Sequence, residues 1–444
     1  MVRTRKRARS LEAVPAKRAR TETSHVESKK DDDSDCVVLD EEIMPRETTP
    51  IIDLDTVGEV DINDDSESGE KLDVAANIPC ENHGARPDYD FNSVTKKIQL
   101  LKKKHKAAYE EMQTGIAHHY DANIQKEQTI LWKLAAKKEL ENAVRKHFPR
   151  AKLYAVGSTA NGCGSFNSDM DVCAVIPELS WNDSMIPSGK KIRNPAVVSA
   201  LHRIRQSISK NVKFARRILY IPAVVPILQI EFTGKFKDLD VDLNINNFAG
   251  IRNTHLIRQY TFIDERFPMI CLLVKHWAIV NDINSAQNGT LNSYSLILLV
   301  LHFMQCGVQP PILPNLFELH PEEFSSDLPV DKIRWTNPKY PKSENHEELS
   351  AVLLKFFEYY ADFDFSLYAI SIRRARVFEK HLLSLKDREY PLFIEEPHDL
   401  RNTARCVKYD GFCQIVRSFQ RSQDILNTFP SLEKLGIRVP KVKS

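Results

Sequence analysis

Two aspartates one residue apart, Asp169 and Asp171, follow a Gly157-Ser158 pair after an interval of ten residues. In a strand, side chains at i and i+2 point to the same face, so both carboxylates project together while Met170 and Val172 turn to the core. Two such charges repel unless a cation lies between them, and oxygen-only ligation suits Mg²⁺ or Mn²⁺. Gly157-Ser158 ends a short apolar strand signal at a point where a helix can start. That turn offers backbone N–H groups, a positive helix end and a hydroxyl to phosphate oxygens.

A third carboxylate is expected from a neighbouring strand, and Leu239-Asp240-Val241-Asp242-Leu243 supplies it with both aspartates on one face. Three carboxylates can hold two metals about 3.5–4 Å apart, one activating an attacking hydroxyl and the other stabilising a pyrophosphate leaving group. Such a displacement needs positioning and charge neutralisation rather than a covalent intermediate, and no nucleophile motif is visible. A lone D-x-D or G-S is common on strands and turns; the ordered set is far more specific.

The elements that must position these groups follow from hydrophobic periodicity. Strand signals lie at 153–156, 169–176, 227–232 and 239–245, with a helix near Val197–Asn211 between the first pair and the second. Ser93 is a candidate cap for a lysine-crowded helix through Ile98, Leu101 and His105. A second leading helix is expected over Ile124–His147, with Ile130, Leu131, Leu134, Ala135, Lys138 and Leu140 on its stripe and Pro149 ending it. From Arg252 onward the pattern is helical: Thr254–Glu265, Met269–Val280, Ser293–Gln305, Glu347–Tyr360 and Tyr409–Asn427. The class is α+β, with a helical domain after the sheet domain. The expected divisions are a tail at 1–90, a catalytic domain with leading helices at 91–250, a helical domain at 251–430 and a C-terminal tail at 431–444.

The 444 residues suit two or three folding units of ~150 residues. The first 88 contain no Phe, Trp or Tyr, so they are expected to stay disordered. The net charge of +2 conceals a segregation: 10 basic and 3 acidic side chains in 1–30, 3 and 20 in 31–90, and 49 and 37 in the rest. The basic body is suited to polyanions such as RNA or nucleotides, although charge alone fits a solvated surface equally. Arg3–Arg9 and Lys17–Arg20 are basic clusters of the kind used for nuclear import, and Val37-Val38-Leu39 with its acidic flanks resembles a SUMO-interaction motif. Eight cysteines without a C-x-x-C pair are expected as free thiols. No secretory signal, membrane span, Walker or dinucleotide motif is found.

The ordered set resembles the polymerase-β-type nucleotidyltransferase superfamily. Asn167-Ser-Asp-Met-Asp171, Asp242-Leu-Asn-Ile-Asn-Asn247, Gly250-Ile-Arg-Asn-Thr254, Lys275-His-Trp-Ala278, Ile283-Asn284 and Gly289-Thr-Leu-Asn-Ser-Tyr-Ser295 are similar to template-independent RNA nucleotidyltransferases. Glu395-Glu-Pro397 with Asn402-Thr-Ala-Arg405 resembles their poly(A)-polymerase-associated segment. The likeness covers about 94–425 and is greatest to the cytoplasmic, germline-type poly(A) polymerases, which extend mRNA tails for translational activation.

The resemblance implies a mostly helical central, PAP-associated domain, ATP as substrate and two Mg²⁺ or Mn²⁺ ions on Asp169, Asp171 and Asp242. Asp242 also helps deprotonate the RNA 3′ hydroxyl, and Asp240 is its bland neighbour. The Gly157 turn, Ser158, Lys275 and Ser293 face the triphosphate, Tyr294 stacks on the base, and Asn253 reads the ribose with Thr254 nearby. Ile279 and Arg401 stand where uridylyl-adding relatives tend to carry Lys and His, and the segment from Glu396 is one residue shorter, which favours ATP over UTP. The expected partners are an mRNA 3′ end and a separate RNA-binding protein that supplies specificity, since no RNA-reading module is visible; neither DNA nor a membrane is expected. The expected location is the cytoplasm, with nuclear import left open. The rivals are a terminal uridylyltransferase of the same fold, a catalytically silent RNA- or protein-binding scaffold and, more weakly, a small-molecule or 2′-5′ oligoadenylate nucleotidyltransferase.

Overall fold

The computed structural model describes residues 84–179, 194–223, 225–336, 340 and 342–439. The basic clusters, the SUMO-like segment, Cys36 and Cys80 lie outside the described residues. Three helices lead: α1 (Phe91–Lys104), α2 (Lys106–Asn123) and α3 (Glu127–Arg145). The catalytic sheet follows as β1 (Lys152–Val156), β2 (Met170–Val175), α4 (Pro195–Asn211), β3 (Ala215–Ile221), β4 (Ile227–Phe232) and β5 (Asp240–Ile245). Its spatial order is β1-β2-β5-β4-β3, with β2 and β5 parallel and the other pairs antiparallel.

The helical body contains α5 (Phe248–Ile263), α6 (Arg266–Val280), α7 (Ser293–Cys306), the short α8 (Leu316–Leu319) and α9 (Leu349–Ala361). A small sheet of β6 (Tyr368–Ser371), β7 (Arg376–Glu379) and β8 (Ile394–Glu395), with the short α10 (Leu385–Arg388), precedes α11 (Tyr409–Thr428).

The core divides along these lines. Met170, Val172, Leu228, Ile230, Val241 and Leu243 bury one face of the five-stranded sheet under α3 and α4. A larger core gathers α6, α7, α9 and α11 around Trp277, Phe303, Phe356 and Phe419. Tyr109, Met112 and Ile116 of α2 belong to it too, as do Ile98 and Leu101 of α1. The first two leading helices, expected with the catalytic domain, therefore pack into the helical body. Arg86 and Ser350 stitch the contact: the Arg86 guanidinium donates to the Tyr359 carbonyl (2.9 Å), and Ser350 Oγ donates to the Tyr109 carbonyl (3.0 Å).

Three local expectations change. Asp90, not Ser93, caps α1, its carboxylate accepting from the N–H groups of Asn92 and Ser93; a carboxylate at the positive helix end is a strong cap. The inner stripe of α3 is Lys133, Ala136, Leu140, Glu141, Ala143 and Val144, while Leu131 is 48% exposed. Small alanines let α3 lie close to the sheet, with Leu140 kept inside and Leu131 turned outward. Finally, α2 and β3 form where no element is expected, and the β6–β8 sheet interrupts a region expected to be helical throughout. Among the described residues no helix is long and apolar enough to cross a membrane, and the described cysteines are free.

Candidate active site

The two central aspartates meet through strand register. Asp171 of β2 is the direct partner of Asp242 of parallel β5, and Val156 is the partner of Asp171 on the other side. Asp169 stands just before β2, on the same face. Asp171 is half-buried, and its carboxyl is pushed up to about 6 by burial and then by the charges of Asp242 and Asp169. Burial, Asp169 and Asp240 raise Asp242 in the same way, while a hydrogen bond from Gln229 of β4 lowers it. The structure thus brings the expected trio to one place. Asp240, opposite Glu231, is exposed at its margin.

The Gly157 turn is built against this trio. Gly157 has φ +64°, and a Cβ there would lie 2.6 Å from Asp171 Oδ2. Glycine alone fits both the left-handed backbone and the approach. The expected helix does not form: Gly157–Thr159 is a single 3₁₀ turn running into the loop of Asn161, Gly162 and Gly164. The Gly157 N–H is donated to Thr254 Oγ1 (2.8 Å), and Thr254 Oγ1 donates to the Gly250 carbonyl (2.6 Å). Thr254, expected near the ribose, is a buried strut between α5 and the turn.

Sequence reasoning missed the cation behind the turn. Lys133 is 1% exposed, and its Nζ donates to the Ser168 carbonyl (2.7 Å), Ser168 Oγ (3.1 Å) and Gln125 Oε1 (3.3 Å). Gln125 Nε2 in turn donates to the carbonyls of Ser158 (3.1 Å) and Thr159 (2.9 Å). One buried ammonium thus ties the Asp169 approach to the Gly157–Thr159 turn. Burial lowers the Lys133 pKa to about 8, against the pull of Asp169 and Asp171. A lysine on the small-residue stripe of α3, three before Ala136 and seven before Leu140, was the available signal.

The opposite wall comes from the helical body. Lys275 of α6 is half-buried, its pKa lowered by burial and supported by Cys163, Asp169 and Asp171. Ser293 begins α7 and donates from Oγ to Asn284 Oδ1 (3.1 Å). Tyr294 Oη donates to Glu396 Oε1 at 3.4 Å. Glu396, also absent from the sequence-based set, is 6% exposed and hydrogen-bonds Asn253 as well, so it joins the two residues expected at base and ribose. Asn402 holds the loop around Glu396: its Oδ1 accepts from the N–H groups of Ile394 and Ala404, and its Nδ2 donates to the Leu392 carbonyl.

Burial, then Asp399, raises the Glu396 carboxyl to about 7. A raised folded-state pKa means the folded protein holds the proton longer than the unfolded chain, so stability falls as pH rises from about 4.5 to 7. Glu396→Gln is expected to flatten that decline, read as a smaller change in melting temperature across the window.

The donor set is oxygen-only and its members raise one another's pKa, which suits a hard divalent cation. Among the described residues no group of three or more His, Cys, Asp or Glu side chains is placed to hold a metal ion.

Comparison with known proteins narrows the reading. Residues 112–262 match the family model "Poly(A) RNA polymerase, mitochondrial-like, central palm domain", and 348–402 match "Cid1 family poly A polymerase". The mouse (Mus musculus) protein "Poly(A) RNA polymerase GLD2" is 35% identical over 291 residues, covering 64% of this chain and 58% of that protein. The chain therefore spans less than two thirds of the length of that relative. The solved structure of a GLD-2/RNP-8 complex matches with a TM-score of 0.65 and 31% identity over 74% of this chain and 98% of the other. A Cid1 poly(U) polymerase structure matches with a TM-score of 0.60 and 27% identity over 73% and 98%.

Proposed function

Because the chain belongs to the nucleotidyltransferase family of the GLD2-type poly(A) RNA polymerases, we propose that it adds AMP from ATP to mRNA 3′ ends in the cytoplasm, without a template. The observation that carries this reading is the in-register Asp171–Asp242 pair beside a turn that only Gly157 can make.

Asp169, Asp171 and Asp242 would hold Mg²⁺ or Mn²⁺, which when bound neutralises phosphate charge and lowers the pKa of the attacking hydroxyl. The RNA 3′ oxygen attacks the α-phosphorus of ATP, the bond to the pyrophosphate oxygen breaks, and the hydroxyl proton passes to Asp242. Ser158 and Lys275 bind the triphosphate, Lys275 as a point charge. Ser293 adds a hydroxyl at the start of α7. Tyr294 stacks on the base, and its bond to Glu396 fixes the ring. Asn253, held by the same carboxylate, meets the ribose 2′ hydroxyl.

The adenine preference rests on the short loop from Glu396 to Asn402, where Arg401, paired with Asp399 (2.8 Å), rather than a histidine stands immediately before Asn402. Incubation of the full chain with an oligo(A) primer and each nucleoside triphosphate in turn is the test. Preferential extension with ATP is expected; preferential UTP addition overturns the adenylyl assignment in favour of the uridylyl rival. A separate RNA-binding protein supplies target choice, a reading supported by the GLD-2/RNP-8 complex among the structural neighbours.

A further inference from the structure

We propose that His119 and His276 are positioning residues for Lys275, their hydrogen bond fixing where the helical wall of the site stands against the turn and the aspartates. This rests on the adenylyltransfer reading above, in which Lys275 binds the triphosphate, and adds what holds that lysine in place.

α2 reaches both walls of the site. Its exit is sewn to the loop that follows the Gly157–Thr159 turn. The Phe166 N–H donates to the Asn123 carbonyl (2.9 Å), the Gln125 N–H donates to the Gly164 carbonyl (3.0 Å), and Ile124 bridges Ser165. On the other wall, α2 meets α6 at His119, whose Nε2 lies 2.8 Å from His276 Nδ1. The two rings stack with centroids 5.1 Å apart. The loop itself closes the circuit: the thiols of Cys163 and Cys271 are hydrogen-bonded, and Cys271 stands one turn before Lys275 on α6. Lys275 belongs to this triangle, near enough to Cys163, Asp169 and Asp171 for their charges to act on it.

The histidine pair is the directional part of the α2–α6 contact. Tyr109, Met112 and Ile116 bury α2 in the helical body and end one turn before His119. Apolar packing resists separation but is non-directional, whereas a hydrogen bond between two rings has a defined geometry. His119 is 1% exposed, and its Nδ1 has no partner among the described residues. A methionine would fill the same space without a stranded nitrogen, so packing alone does not account for the histidine. Burial, then the His276 ring, lowers His119 to about 4, and burial lowers His276 as well. Both rings are therefore neutral at pH 7, one donating and the other accepting. A proton on His119 Nε2 strands only a lone pair, which costs less than a stranded N–H.

The test compares the full chain with His119→Met, His119→Gln and a control, His302→Met. His302 is also fully buried with an unpartnered Nε2, but its bond is to Tyr360 of α9 rather than to α6. Binding of labelled ATP with Mg²⁺ is measured by equilibrium dialysis, beside primer extension and thermal melts. His119→Met is expected to melt at or above the parent temperature, yet to raise Kd and KM for ATP about fivefold with kcat within about twofold. Glutamine carries an Nε2 donor at the same reach, so His119→Gln should restore parent affinity. His302→Met should leave ATP affinity unchanged. In a Lys275→Ala background, His119→Met should add nothing further. Unchanged affinity in His119→Met, an equal loss in His302→Met, or additivity with Lys275→Ala overturns the positioning role. The expected affinity pattern with no AMP added by the parent chain keeps that role and overturns the adenylyltransfer reading. A parent chain that binds no ATP overturns both.

Discussion

Asp171→Asn is expected to reduce AMP transfer by about 10³-fold or more while leaving the fold intact. Asp171 is the central member of the trio, pressed between the Gly157 turn and Asp242, so its carboxylate cannot be replaced by a neighbour. Its neutral replacement is also expected to be slightly more stable in the absence of metal. Burial and two like charges raise the Asp171 pKa to about 6, so the folded state favours the protonated form. Stability from this group is present below the usual aspartate range and is lost as pH rises from about 4 to 6. The asparagine variant should lack that decline. Primer extension and thermal melts in a chelating buffer read the two effects. A variant that melts like the parent chain and still adds AMP at the parent rate would remove the trio from the chemistry.

Lys133→Met is expected to cost stability and rate together. Methionine fills the buried channel but strands the Ser168 carbonyl and Gln125 Oε1, each a loss of about 1–3 kcal/mol, partly offset by removal of a buried charge. A net loss of about 2–4 kcal/mol follows. The turn and the Asp169 approach lose their common tether, and a shift of about 1 Å at such a site costs ~10²-fold in rate. Gln125→Leu cuts the same tether at its second link. The two effects on kcat should therefore be strongly non-additive in the double variant. Additive losses would mean that Lys133 acts only through general stability.

The catalytic strands were legible because they obey a period of two with hydrophobic residues inside, and because the carboxylates stand at fixed offsets within them. β3 was not: Ala-Arg-Arg-Ile-Leu-Tyr-Ile is an edge strand with no clean alternation, and its pairing with β4 carries an irregularity between Ala215 and Arg217. α2 escaped notice because it ends its apolar pattern in Gly115 and His119, residues that suit this helix once Leu432 and His276 pack against them. The site was read best where motif and strand coincide, at Asp169, Asp171 and Asp242. It was read worst where a polar side chain acts from inside the core. Lys133, Gln125 and Glu396 look like solvated residues in one dimension, and only the fold shows what each satisfies. Thr254 is the converse, a residue expected at the ligand whose hydroxyl is spent on Gly157 and Gly250.

The packing of α1 and α2 against α9 and against the segment around Leu432 has a consequence for how the polypeptide matures at the ribosome. The residues that complete the helical core are separated by more than two hundred positions, with the whole catalytic sheet emerging between them. The nascent chain can close the sheet early from local pairings, but α1 and α2 must wait, apolar faces uncovered, until the last helix has been synthesised. Deleting either α1 and α2 or α11 should therefore unravel the same body, and early synthesis is when the chain depends most on chaperones.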